Sequence, residues 1–385
     1  MKILFALTYY RPHISGLTIY VERLAAALAA RGHSVTVLTS RYQPDLPTQE
    51  LIEGVRVIRV PVSVRISKGV IMPAFGFVAR TLIREHDVVS IHLPQLDAAG
   101  LAFWGRVFGK PVVLTYHCDL QLPAGLFNRI VDRVVYVTND LAARLANRIV
   151  AYTEDYASHS PLLQRFRHKW AVILPPVILP PAHPGAQEAF AHTWETVQRR
   201  PVIGFVARLA TEKGVEVMLN ALPRILQEYP DAQVLFAGPY KNVLGEEAYA
   251  ARLQPLFDEY KAHWRFVGTL KPHELAAFYP NCDLVVLPSL NSTESFGLVQ
   301  VEAMLNGVPS VASDLTGVRQ PVRMSGMGEI APIGDSHGLA LAILRVLHNR
   351  TAYIKPPAEI KARFSIDATV TQYENLFADV AANNA

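Results

Sequence analysis

Two carboxylates set the terms of this sequence. Glu294 and Glu302 stand eight residues apart in Pro288-Ser289-Leu290-Asn291-Ser292-Thr293-Glu294-Ser295-Phe296-Gly297-Leu298-Val299-Gln300-Val301-Glu302-Ala303-Met304-Leu305-Asn306-Gly307-Val308-Pro309. The stretch reads as a strand end, a polar loop, and a helix from about Leu298 to Asn306 that Gly307 stops. Glu294 falls in the loop and Glu302 inside the helix. A carboxylate accepts two hydroxyl protons and so suits a polyol. The backbone amides of Phe296, Gly297 and Leu298, at the helix start, suit phosphate or sugar oxygens. Glu302 is flanked by Val299, Val301, Ala303 and Met304, an apolar setting in which a merely solvated Glu is out of place. A ligand that is part polyol and part phosphate, as a nucleotide-sugar is, answers both features.

Three further places carry chemistry. In Gly204-Phe205-Val206-Ala207-Arg208-Leu209-Ala210-Thr211-Glu212-Lys213-Gly214, two cations five residues apart flank a turn that enters a helix. An Arg fork, a compact Lys charge and the amides of a helix start can hold a diphosphate; the alternative is solvated surface charge. His117 and Asp119 follow the apolar run Pro111–Tyr116, as ligand-facing groups or as a pair that caps its own loop. Ser15-Gly16 opens a helix after the first strand, where small residues let an anion approach the backbone.

The elements that position these groups alternate. Strands are predicted over Lys2–Thr8, Ser34–Ser40, Val55–Val60, Val88–His92 and Pro111–Tyr116, with a helix over Thr18–Arg31. Pro175, Pro176, Pro180, Pro181 and Pro184 then mark residues 172–200 as a partly extended linker. The alternation restarts at Val202–Ala207, a helix over Val215–Glu228, Gln233–Ala237, His263–Val267, Leu284–Pro288 and Val308–Ala312. Uninterrupted apolar strands separated by helices imply parallel sheets covered on both faces. The expected fold is α/β: two doubly wound, Rossmann-like domains facing each other across a cleft, with ligands beyond the carboxyl ends of the strands.

The Glu-x7-Glu motif with Phe296-Gly297 inside it, followed by Ala303-Met304 and Gly307-Val308-Pro309, resembles the family 4 glycosyltransferases, which have the GT-B fold. Arg208 and Lys213-Gly214 match that family's diphosphate pair, and His117 its cleft histidine. Ser15-Gly16 stands where the family usually has Gly-Gly. Phe364-Ser365 resembles the segment before a last helix that crosses back onto the N-terminal domain. The resemblance spans essentially the whole chain, with two departures: Ser15 replaces a Gly, and Pro239-Tyr240 follows Gly238 where a small residue is more usual.

The resemblance implies a retaining transfer of a sugar from a nucleoside diphosphate to an acceptor. It divides the chain into an acceptor-binding domain over 1–180, completed by a helix over 365–382, and a nucleotide-sugar-binding domain over 195–364. Arg208 and Lys213 would neutralise the leaving diphosphate. Glu294 and the Phe296–Leu298 backbone would hold the sugar, Glu302 the ribose, His117 would face the transferred sugar, and Gly16 would close over the phosphates. The Glu294-Ser295-Phe296-Gly297 variant with Ser313-Asp314-Leu315 resembles the lipid-modifying mannosyl- and glucosyltransferases of the family, so the acceptor is expected to be a sugar or a lipid-linked group. A nucleotide-sugar epimerase on the same fold and a non-catalytic sugar-nucleotide-binding subunit are the rivals.

Composition bounds the rest. The chain has 385 residues, 50% hydrophobic and 18% charged, enough for two sizeable cores. Its two Cys suit a reduced, cytoplasmic setting. No Asp-x-Asp occurs, so neither a metal nor another cofactor is expected; no nucleic-acid partner is expected either. Gly-x-Gly-x-x-Gly and Gly-x4-Gly-Lys-Ser/Thr are also absent, which removes the main support for nicotinamide enzymes and P-loop NTPases. Charge is uneven. Residues 1–185 hold 20 Lys and Arg against 12 Asp and Glu, whereas 186–385 hold 17 against 21. Arg65, Lys68, Arg80, Arg84, Arg106 and Lys110 interleave with Phe75, Phe77, Phe103, Trp104 and Phe108. If 77–84 is helical, Phe77, Arg80 and Arg84 share one face. Such a face suits an anionic membrane surface, the expectation being a peripheral enzyme on the inner face of the membrane; the alternative is that the aromatics are core.

Overall fold

The computed structural model describes residues 1–66, 69–121, 125–243 and 245–383. The chain forms two compact units, Met1–Pro176 with Ser365–Ala385, and Val177–Phe364.

The first unit contains β1 (Lys2–Ala6), β2 (Ser34–Arg41), β3 (Gln49–Ile52), β4 (Val55–Pro61), β5 (Val64–Ile66), β6 (Gly69–Ile71), β7 (Val88–Leu93), β8 (Val112–Tyr116), β9 (Arg148–Ala151) and β10 (Trp170–Val172). Eight of these form one sheet in the order β10-β9-β8-β7-β1-β2-β4-β3. Its pairs are parallel except that β3 runs antiparallel to β4 on the edge. Every residue of β7 and β8 is buried, as the unbroken apolar runs require of strands covered on both faces. On one face α2 (Phe75–Glu85), α3 (Ala98–Val107) and α4 (Leu126–Leu145) pack side by side and close a core with Leu4, Ala6, Val89, Ile91 and Leu114. Elsewhere α1 (Gly16–Ala30) packs against the last helix of the chain, Ile366–Ala382. The two meet through Tyr20 and Tyr373, whose hydroxyls lie 2.6 Å apart, while Thr115 of β8 lies 3.0 Å from Tyr373 Oη. At the far end Arg31 donates to Thr371 and Glu374, and His33 meets Glu374 at 2.9 Å. A short α5 (Glu154–Ala157) follows β9.

The second unit is a six-stranded, all-parallel sheet in the order β13-β12-β11-β14-β15-β16. Its strands are β11 (Val202–Val206), β12 (Gln233–Ala237), β13 (Trp264–Gly268), β14 (Leu284–Leu287), β15 (Ser310–Ser313) and β16 (Gly328–Ala331). Its helices are α6 (Ala186–Trp194), α7 (Val215–Glu228), α8 (Glu247–Glu259), α9 (Pro272–Phe278), α10 (Leu298–Leu305), α11 (Gln320–Ser325), α12 (Ser336–His348), α13 (Arg350–Tyr353) and α14 (Pro357–Arg363); the crossing helix is α15.

Two expectations change. Residues 172–200 are not linker throughout, because α6 interrupts them. Gly185 turns the chain in the left-handed region, Ala186-Gln187-Glu188-Ala189 are good helix formers, and Phe190 lies edge-on to Phe278, 5.7 Å between ring centres. The aromatics of 65–110 also divide. Phe75 is buried, Trp104 and Phe108 are half-buried against the core, and only Phe77 and Phe103 are exposed, Phe77 by 78%. Arg80 and Arg84 lie over Trp104 and Phe108, 5.0 and 5.1 Å from the ring centres. Lys68 lies outside the described residues.

Candidate active site

In the second unit, β11 runs out into the turn that carries both cations. Thr211–Lys213 form a single 3-10 turn, closed by Lys213 N–H donating to Ala210 O at 3.0 Å, and α7 starts directly behind it. Gly214 between them has φ +66, and a Cβ there would sit 2.1 Å from the carbonyl oxygen of Pro288. Only Gly lets this turn press onto the end of β14. That close approach brings together residues 81 positions apart: Lys213 Nζ lies 2.6 Å from Glu294 Oε2. Arg208 is paired with Glu212 on the same turn. Leu290 N–H, beyond β14, donates to Glu212 O at 2.9 Å and locks the two strand ends. Each cation therefore rests on a carboxylate that is itself mostly covered, Glu212 14% and Glu294 20% exposed.

The helix that carries Glu302 begins where expected. Gly297 caps α10 with φ +84, and a Cβ there would strike Leu287. Phe296 is buried, and Gln300 clamps its turn: Gln300 Nε2 donates to Phe296 O at 3.1 Å and Val318 O at 2.8 Å. Leu298 is the first residue of α10. Glu302 is 4% exposed and accepts a 2.9 Å hydrogen bond from the Tyr279 hydroxyl. A carboxylate so held presents a fixed acceptor rather than a solvated charge.

In the first unit, Ser15 caps α1: its hydroxyl accepts Thr18 N–H at 3.2 Å, which moves the helix start to Gly16. A Cβ on Gly16 would meet open space, so packing within the chain does not demand a glycine there. His117 follows β8 and is 5% exposed. His117 Nε2 lies 2.8 Å from His92 Nδ1, its Nδ1 meets the Tyr152 hydroxyl, and Tyr20 stands edge-on 4.9 Å away. Burial pushes both imidazoles down, His92 to about 3 and His117 well below its ordinary value, with the neighbouring His92 adding to the shift of His117. Both are neutral at pH 7. Asp119 takes the capping alternative: its carboxylate accepts the hydroxyls of Tyr116, Tyr156 and Ser160 at 2.7–2.9 Å.

Sequence reasoning missed Tyr279, His92, Tyr152 and the pairing of Glu212 with Arg208. Glu212 lay inside the stretch that was read, but Ala210 is extended between it and Arg208, so no helical spacing announces the pair. The others come together only through the fold. One local pattern has a structural explanation. Gly334-Asp335-Ser336-His337-Gly338 has the spacing of a hydrolase nucleophile turn, but Asp335 caps α12, accepting Gly338 N–H at 2.9 Å. Among the described residues no group of three or more His, Cys, Asp or Glu could hold a metal ion, and no helix is long and apolar enough to cross a membrane.

Two parallel α/β units with charged turns at the carboxyl ends of their strands define the GT-B class of glycosyltransferase, and solved structures of that class superpose on the chain. HepE of Anabaena in complex with UDP and glucose matches with a TM-score of 0.78 at 19% identity, over 98% of this chain and 99% of that one. The sucrose-phosphate synthase of Thermosynechococcus elongatus matches with 0.76 at 21% identity, over 99% of each. Residues 15–176 match the glycosyl transferase 4-like domain, and 187–364 match glycosyl transferases group 1. The chain belongs to the group 1, family 4 glycosyltransferases. Among its relatives are the phosphatidyl-myo-inositol mannosyltransferase of Mycobacterium leprae, 27% identical over 96% of this chain and 94% of that protein, and the D-inositol 3-phosphate glycosyltransferase of Streptosporangium roseum, 27% identical over 96% and 89%.

Proposed function

We propose that this glycosyltransferase moves a sugar from a nucleoside diphosphate donor to a lipid-linked acceptor with retention of anomeric configuration, without a metal. The observation that carries the reading is the convergence of Lys213, Glu294 and Arg208 where β11 and β14 end. Arg208 and Lys213 neutralise the leaving diphosphate, the main electrostatic task of the transfer. Glu294, released from Lys213 as the phosphates take its place, accepts sugar hydroxyls with the Phe296–Leu298 backbone. Glu302, held by Tyr279, takes the ribose hydroxyls. Neutral His117, its two ring nitrogens engaged by His92 and Tyr152, would face the transferred sugar without bringing a charge to it, and Gly16 leaves room for the phosphates. The UDP bound to HepE supports the donor class. Donor hydrolysis screened across UDP-, GDP- and ADP-sugars, with the anomeric configuration of product read by NMR, tests the reading. Donor isomerisation without acceptor would make it an epimerase. Activity in excess EDTA is expected, and loss restored by magnesium would overturn the metal-free assignment.

The lipid-linked acceptor draws on the relatives that act on phosphatidyl-myo-inositol and on the surface of the first unit. Besides Phe77 and Phe103, α4 exposes Phe127, Ile130, Val134, Val137 and Leu141 at alternating spacings of three and four, with Arg129 and Arg133 exposed beside them. A stripe left about half exposed, bordered by Arg, fits an anionic bilayer, where each basic side chain contributes about 1 kcal/mol.

A further inference from the structure

We propose that Glu246 is the positioning residue of the cation-bearing turn: its carboxylate fixes Thr211, and through Thr211 the places of Arg208 and Lys213. The inference rests on the reading of these two cations as the diphosphate site.

A lone 3-10 turn holds itself poorly. Its second internal bond, Gly214 N–H to Thr211 O, is stretched to 3.5 Å, so the position of the turn depends on tethers from outside. Two are backbone bonds, Leu209 N–H to Pro239 O at 2.7 Å and Leu290 N–H to Glu212 O at 2.9 Å. Side chains add two more: the ion pair of Lys213 with Glu294, which a bound diphosphate would displace, and a carboxylate that such a ligand would leave in place. Glu246 Oε2 accepts both Thr211 N–H, at 3.0 Å, and the Thr211 hydroxyl, at 2.8 Å. Glu246 is 5% exposed and stands immediately ahead of α8, where its own carbonyl accepts Ala250 N–H at 2.9 Å. That helix is anchored in the core by Tyr249, Leu253 and Phe257. The carboxylate is thus mounted on a rigid element while the turn it grips is not.

Charge explains nothing here. A buried anion on the turn that must receive a diphosphate opposes binding, so what Glu246 supplies is a placed acceptor. Acceptor geometry and charge then predict opposite effects for Glu246→Gln, which keeps an acceptor oxygen and removes the charge.

The test is the preference of the protein for a nucleoside diphosphate over the monophosphate of the same base, measured by calorimetry with UDP and UMP, GDP and GMP, and ADP and AMP. The ratio cancels any loss of folded protein. Glu246→Ala is expected to cut the diphosphate preference by about tenfold or more, the scale of leaving the buried Thr211 donors without an acceptor. Monophosphate affinity should change by less than about threefold, and Glu246→Gln should stay within threefold of the native ratio. Thr211→Val, which keeps the amide and removes the hydroxyl, should fall between and serves if Glu246→Ala does not fold. An unchanged ratio in Glu246→Ala, or in Thr211→Val as its substitute, overturns the proposal, as does Glu246→Gln behaving like Glu246→Ala. Lys213→Ala separates the parent reading: if it too leaves the ratio unchanged, or if no diphosphate binds the native protein, the diphosphate site itself is wrong.

Discussion

Lys213→Ala puts the charge assignment at greatest risk. Two costs follow from the structure, and they differ in size. The first is stability. Lys213 and Glu294 pair at 2.6 Å, with 18% and 20% of their side chains exposed. A pair still in touch with solvent contributes on the order of 1 kcal/mol. For units of this size that shifts the melting temperature by roughly 2–4 °C. The second is turnover. Removing one preorganised cation from a developing diphosphate costs about 100-fold or more in kcat. The variant should therefore melt within a few degrees of the native protein and turn over about a hundredfold more slowly. Lys213→Ala/Glu294→Ala should recover part of the lost melting temperature and none of the turnover, because the second deletion removes an unpaired carboxylate but restores no cation. Thermal melts and initial rates on the donor identified by the screen suffice. Near-native kcat in Lys213→Ala refutes the reasoning, and so does a collapse of the melting temperature, which would make Lys213 structural.

Glu302→Ala should raise the donor KM by about tenfold or more with a smaller effect on kcat, since ribose contacts change little during reaction, and Tyr279→Phe should do the same more weakly; a kcat defect without a KM change would exchange the roles of Glu302 and Glu294. Replacing Phe127 and Ile130 by Asp should abolish co-sedimentation with anionic vesicles and leave turnover of a soluble acceptor analogue intact; native protein that ignores such vesicles at low salt would remove the docking surface. Because His92 and His117 are held neutral when folded, the unfolded chain binds more protons below pH 6.5, and stability should fall from pH 7 to 5 by up to about 1.4 kcal/mol per unit for each histidine. Burial pushes the Asp97 carboxyl up to about 6, which opposes this slope, so it should be read as the difference between native and His92→Asn urea midpoints; a difference that does not move with pH would contradict the burial of the pair.

What was legible in the sequence is what short-range physics writes there. β12 and α7 lie where apolar runs and helical spacing put them, and the Glu-x7-Glu spacing carried Glu294 and Glu302 to a loop and a helix. Helix α6 was missed because the prolines before it dominate the local signal, whereas its formation depends on Phe190 finding Phe278. The stripe on α4 has a readable period, but whether it faces core or solvent is decided by α3 and the sheet. Partners far apart in sequence were out of reach. Nothing near Lys213 announces Glu294, and nothing near His117 announces His92.

Helix α15 has a consequence for how the protein is made. The first unit is discontinuous: its last helix is separated from the rest by the whole of Val177–Phe364. On the ribosome, where domains generally fold as they emerge, Tyr20 and Thr115 are finished long before Tyr373 exists. The face that α15 will cover, with Arg31 and His33 at one end of it, must wait exposed through the synthesis of an entire second unit. The second unit, by contrast, is contiguous and can close unaided. The N-terminal half of the molecule is therefore begun first and sealed last, and a chain stalled or cut before Ser365 carries a finished second unit beside a first one that lacks its closing helix.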